Sequence, residues 1–254
     1  TPIRSQAIWR LEEAGNSHSA LPAKFATDTG ELQKAGYKTG YTGKGWSPGK
    51  LAPGGRIENP AGTSYAKRNL QPPFKAIRNT DYAGNFDDFL EAVEKETPFC
   101  FWLGTSEPHR AYENGAGKRT GKDPAKVIVP SIFPDNAIVR SDLLDYYVEI
   151  EHFDLMVQRA IASLEKRGHL DNTIVVVTSD HGMPFPRAKA SLYDWGSRVP
   201  LAIMWPRGIR NPGRDVKDFV HLSDLAPTFI EAAGADVPSM MAASSLMKIF
   251  SDQN

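Results

Sequence analysis

The chain has 254 residues, 41% hydrophobic and 24% charged, ordinary values for a globular protein long enough to bury a sizeable core. Its formal net charge is zero, which argues against a nucleic-acid partner held by phosphate neutralisation, and no apolar run approaches the roughly 20 residues that span a bilayer. Its single cysteine, Cys100, excludes an internal disulfide and any cysteine-based zinc motif.

Taken in chain order, residues Glu31 to Ala35 predict a short helix stopped by Gly36, and Tyr37 to Thr42 a short strand. Residues 43–80 read as a long loop rich in glycine and proline. From Tyr37 to Arg78 the chain carries Lys38, Lys44, Lys50, Arg56, Lys67, Arg68, Lys75 and Arg78 against Glu58 alone. Such a field suits an anionic ligand. Ala83 to Glu96 places Phe86, Phe89, Leu90 and Val93 at helical spacing. Pro98 to Gly104 is the next strand, where Cys100 acts as a small hydrophobe. Residues 105–134 form a second polar loop.

Ser141 reads as the N-cap of a strong helix whose apolar residues (Leu144, Tyr147, Val148, Val157, Ile161, Leu164) recur every three or four positions, with Gly168 as its stop. Val199 to Trp205 and Val216 to Val220 are further strand candidates. Asp224 caps a last helix with Pro227 in its first turn and Gly234 at its end. Alternating strands and helices predict a layered α/β fold with helices on both faces of the sheet.

The densest signal is Thr173-Ile174-Val175-Val176-Val177-Thr178-Ser179-Asp180-His181-Gly182. The β-branched run from Thr173 to Val177 suits a strand covered on both faces in a parallel sheet. Ligands of such sheets bind beyond the carboxyl ends of the strands, where Asp180 and His181 would lie. A carboxylate beside an imidazole is half of a metal site; the same pair could equally cap a following helix.

Five segments, in order, resemble the type I sulfatases of the alkaline phosphatase superfamily. Thr1-Pro2-Ile3-Arg4-Ser5 looks like the tail of that family's signature, in which a leading Cys or Ser becomes formylglycine. Gly36 to Lys44 is similar to its A-G-Y-x-T-x-x-x-G-K segment, and Thr173 to Gly182 to its N-T-I-V-V-x-T-S-D-H-G element. Lys189 to Pro200 resembles its K-x-x-x-Y-x-G-G-x-R-V-P element, and Asp224-Leu225-Ala226-Pro227-Thr228 its D-L-x-P-T segment. The Ser-Asp-His-Gly and Glu107-Pro108-His109-Arg110 versions look nearest to the heparan N-sulfatase (sulfamidase) branch.

The resemblance implies a three-layer α/β/α sandwich with a largely parallel central sheet, residues 1–254 forming a partial catalytic domain. It implies hydrolysis of sulfate esters or sulfamates on carbohydrates by a formylglycine preceding Thr1, installed by a maturation enzyme. The family's other two metal-ligand aspartates and its C-terminal subdomain are not matched in these residues. Arg4 would hold the nucleophile, Lys44 and Lys189 the sulfate, and Asp180 and His181 a divalent cation, calcium or else magnesium. His109 would protonate the leaving group, since histidine titrates near working pH. Trp46 stands where relatives carry a histidine and could offer a sugar ring an apolar face. Arg110 could bind a second anion or serve structurally.

The start at Thr1, without a leader or an initiator Met, points to something upstream, and a polypeptide of these residues alone is expected to be inactive. The resemblance implies a periplasmic, extracellular or lysosomal location. The alternatives are a phosphodiester or phosphonate hydrolase of the same superfamily and a sugar-binding pseudoenzyme.

Overall fold

A computed structural model describes residues 10–12, 18–46 and 49–252. Helix α1 (Asp28–Lys34) begins where the Thr27 hydroxyl accepts the Gly30 N–H, and Gly36 leaves it with φ 89°. Strand β1 (Lys38–Gly43) follows and pairs in parallel with two others, the short β2 (Thr63–Ser64) and β3 (Phe99–Gly104), in the order β2-β1-β3. The register sets Lys38 against Phe99 and Gly43 against Gly104, so β1 and β3 end at the same edge. The basic stretch expected as pure loop is therefore partly structured. It contributes β2 and a 3₁₀ turn, Ala52–Gly54.

Between β1 and β3 runs α2 (Tyr82–Ala92), capped by Asp81. It stops four residues before the expected Glu96, because Val93 is already extended and Glu96 adopts φ 70°. Beyond β3 come α3 (Ala116–Arg119) and the 30-residue α4 (Ala137–Lys166). Ser141 is not its cap. The Asn136 side chain accepts the N–H groups of Ile138 and Val139, so the helix starts a turn earlier.

Strand β4 (Val175–Thr178) is the core of the β-branched run, and α5 (Asp194–Ser197) separates it from β5 (Leu201–Met204). The expectation of a parallel neighbour for β4 is corrected here: β4 and β5 are antiparallel, Val175 opposite Met204. The chain closes through α6 (Leu225–Ala232) and α7 (Met247–Ser251). Val216 to Val220 forms no strand, and Phe219 is fully exposed there.

Side-chain alternation shows why helices cover both faces. Thr39 takes a 2.7 Å hydrogen bond from Gln33 of α1, whereas its neighbour Gly40 faces the other way, where a Cβ would sit 2.8 Å from the Phe89 ring of α2. In β4, Val175 joins the core of Phe86, Phe89, Leu90, Ala160 and Leu164 from α2 and α4. Val176 instead joins Leu225, Leu246 and Phe250 from α6 and the α7 region. The parallel trio and the antiparallel pair thus lie in one middle layer of an α/β/α arrangement. Cys100 lies within β3, and burial pushes its thiol up to about 12. Among the described residues no helix is long and apolar enough to cross a membrane.

Candidate active site

Lys44 follows the last residue of β1, and its N–H donates to the Gly104 carbonyl that ends β3. The chain leaving Gly104 turns at once through Thr105 to Tyr112. That turn is braced throughout. The Tyr82 hydroxyl accepts the Ser106 N–H at 3.0 Å, the Glu107 carbonyl accepts the Thr105 hydroxyl at 2.9 Å, and the Pro108 carbonyl accepts the Tyr112 hydroxyl at 3.0 Å. Glu107–Pro108 is a cis peptide. Parallel pairing of β1 and β3 is what brings Lys44 and His109 to one rim.

Both ring nitrogens of the exposed His109 are engaged. Nδ1 lies 2.5 Å from the Arg110 carbonyl, to which it donates, and Nε2 lies 3.2 Å from Lys189 Nζ, whose ammonium donates to it. Lys189 is placed by its own N–H to the Met183 carbonyl. Arg110 completes the joint between the two loops. Its Nε donates to the Pro184 carbonyl at 2.9 Å, both terminal nitrogens meet Asp142, and the guanidinium stacks between Tyr112 and Phe185. All three of its nitrogens are committed to protein partners, in keeping with a structural fork.

The turn after β3 forms the wall of a cleft of about 580 Å³. Lys44, Lys75, Arg78, His109 and Arg110 line it as positive or ionisable groups, with Glu107 and Glu149 as acidic ones. Another depression of similar volume, lined by Lys118, Asp135 and Arg140, shares no residue with it, and its Arg140 is already tied to Asp135.

Asp180 and His181 occupy the turn after β4. Gly182 is required there, since a Cβ would lie 1.7 Å from the Trp195 carbonyl. His181 Nδ1 donates to its neighbouring Gly182 carbonyl at 2.7 Å, leaving Nε2 3.5 Å from Asp180 Oδ1. An imidazole so oriented, beside an 84% exposed carboxylate, offers one nitrogen and two oxygens to a cation. Two residues are fewer than a calcium or magnesium shell needs, and among the described residues no group of three His, Cys, Asp or Glu could hold a metal ion.

The structure therefore joins Lys44, His109, Arg110 and Lys189 and sets Asp180 and His181 on the loop that also carries Lys189. It does not bring Trp46 to the cleft. That indole packs on Leu11, Leu21 and Phe25, with its backbone held by Asn59. Arg4 lies outside the described residues. Two residues escaped the sequence reading: Glu149, which lines the cleft, and His152, one turn along the same helix and buried. A Glu-x-x-His spacing within an otherwise apolar helix face was the available signal.

A family model described as Sulfatase matches residues 25–235. Arylsulfatase K of Xenopus laevis is 38% identical over 304 residues, covering 96% of this chain and 56% of that protein. N-sulphoglucosamine sulphohydrolase of Homo sapiens is 28% identical over 172 residues, covering 59% of this chain and 34% of that protein. A solved structure described as a complex with its substrate D-glucosamine-2-N,6-O-disulfate superposes with a TM-score of 0.72 at 20% identity. The superposition covers 100% of this chain and 71% of that one, a likeness of fold. The chain spans 34% and 56% of the length of these two curated relatives.

Proposed function

The chain belongs to the sulfatase family, and on that premise we propose that residues 1–254 are part of the catalytic domain of a sulfuric-ester hydrolase acting on sulfated carbohydrates. The observation that carries the reading is the contact of Lys189 Nζ with His109 Nε2, 3.2 Å, on the rim that also bears Lys44. Sulfate transfer requires a nucleophile at sulfur, neutralisation of the non-bridging oxygens and a proton for the departing oxygen or nitrogen. Lys44 and Lys189 are compact point charges suited to the second task.

In the free protein the Lys189 ammonium occupies His109 Nε2. A bound sulfuryl group draws that ammonium to its oxygens and frees Nε2 to carry and then deliver the leaving-group proton. His109 Nδ1–H, fixed on the Arg110 carbonyl, keeps the ring oriented for the transfer. Arg110 acts chiefly by locking the two loops together. Arg4 would orient the nucleophile, and Trp46 remains a candidate sugar contact only in a longer assembly of the pocket.

A formylglycine at the position before Thr1, made from Cys or Ser by a formylglycine-generating enzyme, would supply the nucleophile. Asp180 and His181 would hold a divalent cation, calcium in preference to magnesium, as two of its ligands, and the cation would supply further charge neutralisation.

The N-sulfate branch is the finer form of the proposal, supported by Ser179-Asp180-His181-Gly182 and Glu107-Pro108-His109-Arg110 and by the similarity to the human sulphohydrolase. An extracytoplasmic location accompanies it, in keeping with the family. The test is an assay of the full-length protein on an aryl sulfate, an O-sulfated glucosamine and an N-sulfated glucosamine, beside the matching phosphate esters. Sulfate release, with an aldehyde detected by mass in the peptide preceding Thr1, is expected. Preferential phosphate or phosphonate cleavage, or an unmodified residue other than Cys or Ser before Thr1, would overturn it.

A further inference from the structure

Beneath the turn that carries His109 lies a polar cluster with no part in the chemistry so far. Glu107 is 5% exposed; its Oε1 accepts the Arg78 N–H at 2.8 Å, but its Oε2 is buried without a hydrogen-bond partner. From α4, Glu149, 3% exposed, lines the same cleft as Glu107, and His152, one turn on and 6% exposed, has its Nε2 also buried and unpartnered. Asp145, one turn earlier on the same stripe, is satisfied by the N–H groups of Gly115 and Gly117. Within this cluster the buried atoms without a partner are Oε2 of Glu107 and Nε2 of His152. A buried carboxylate oxygen lacking a donor is costly, and two ionised carboxylates together would be costlier still.

We infer that Glu149 keeps a proton and shares it with the buried Oε2 of Glu107, and that this neutralised pair, backed by His152, positions the turn bearing His109. Glu107 is two residues from His109 in the same turn, so holding its carboxyl braces the backbone from which the imidazole meets Lys189. The electrostatics agree with the geometry. Burial first, and then the Glu107 charge, push the Glu149 carboxyl up to about 7. Burial also pulls the His152 imidazole down, against the opposing pull of Glu107 and Asp81. Tyr82, which braces Ser106, is pushed up to about 12 by burial and by Glu107, so its hydroxyl stays protonated. Glu149 and Glu107 are positioning residues here, acting through His109.

The inference rests on the sulfatase reading, and the test separates the two. In the full-length protein, Glu149→Gln keeps a donor for Glu107, whereas Glu149→Leu removes it at similar size. On a sugar sulfate, whose alkoxide leaves poorly, Glu149→Leu is expected to lower kcat by about 100-fold with little change in KM. On an aryl sulfate with an activated leaving group the loss should stay within about 3-fold, and Glu149→Gln should remain within about 3-fold on both substrates.

Equal losses on both substrates, or a Glu149→Gln variant as impaired as Glu149→Leu, would overturn the inference. His109→Ala is the control. If it too shows no leaving-group dependence, the assignment of His109 as the acid has failed; if it does while Glu149→Leu does not, only the positioning role has failed. Should Glu149→Leu not fold, infrared spectroscopy at about pH 6, where ordinary carboxylates are ionised, decides independently of turnover. A protonated-carboxyl carbonyl band that Glu149→Gln removes supports the shared proton, and no difference between the two proteins overturns it.

Discussion

His109 stands on an exposed turn like many surface histidines, and what sets it apart is the company of its two nitrogens. Nδ1 is tied to a backbone carbonyl and Nε2 to an ammonium that an anion can draw away. If it is the proton donor, His109→Ala should lower kcat on sugar sulfates by about 10²–10³-fold and leave activated aryl sulfates far less affected, measured by steady-state kinetics on both. Arg110 tells the converse story. The sequence left a ligand role and a structural role open, and the fork on Asp142 between two aromatic rings favours the structural one. Arg110→Lys keeps the charge but loses the bidentate pairing and stacking, so a stability loss of about 1 kcal/mol is expected in denaturant titration. Lys44, His109 and Lys189 were legible because each sits in a motif. Glu149 was not, because an acidic residue in a long amphipathic helix ordinarily faces water, and only the fold places it under the cleft.

At the scale of elements, most of the order was readable, and each misjudged boundary has its own physical cause. The N-cap of α4 was placed five residues late because the first turn carries Ile138 at 80% exposure, so the apolar stripe starts only where the helix meets the body of the protein. The cap itself follows from Asn136, which accepts two N–H groups. Asn136→Ala should therefore cost about 1 kcal/mol and Ser141→Ala less than about 0.5 kcal/mol, both read from chemical unfolding. Val216 to Val220 is rich in β-branched and aromatic residues yet pairs with nothing, since strand propensity without a neighbouring edge does not make a strand. On α2, Phe89 is 0% exposed and packs against Phe86, Phe99, Phe101 and Tyr65, so Phe89→Ala should cost about 3–5 kcal/mol.

For the whole molecule, two buried acids set the direction of the pH response near neutrality. Burial pushes Asp28 at the start of α1 up to about 7, and Glu149 is pushed up to about 7 as well, from ordinary values of 3.8 and 4.5. A carboxyl raised in the folded state contributes stability that is complete below its unfolded value and is lost as pH rises through its folded one. The two carboxyls should therefore lower the unfolding free energy between about pH 4 and about pH 7, by on the order of 3 kcal/mol each, partly offset by His152, whose depressed imidazole contributes in the opposite sense. Glu149→Gln should flatten its share of that slope in denaturant titrations across the range. The residues alone determined the layered α/β class, because periodicity and β-branching act locally, and they named the family through five short motifs in order. Tertiary structure decided that β4 runs antiparallel to β5, that Lys189 meets His109 across 80 residues of chain, and that Glu107 and Glu149 line one cleft. Those outcomes depend on which surfaces come to face each other, and in a linear sequence that information is spread over segments with no local mark of their partners.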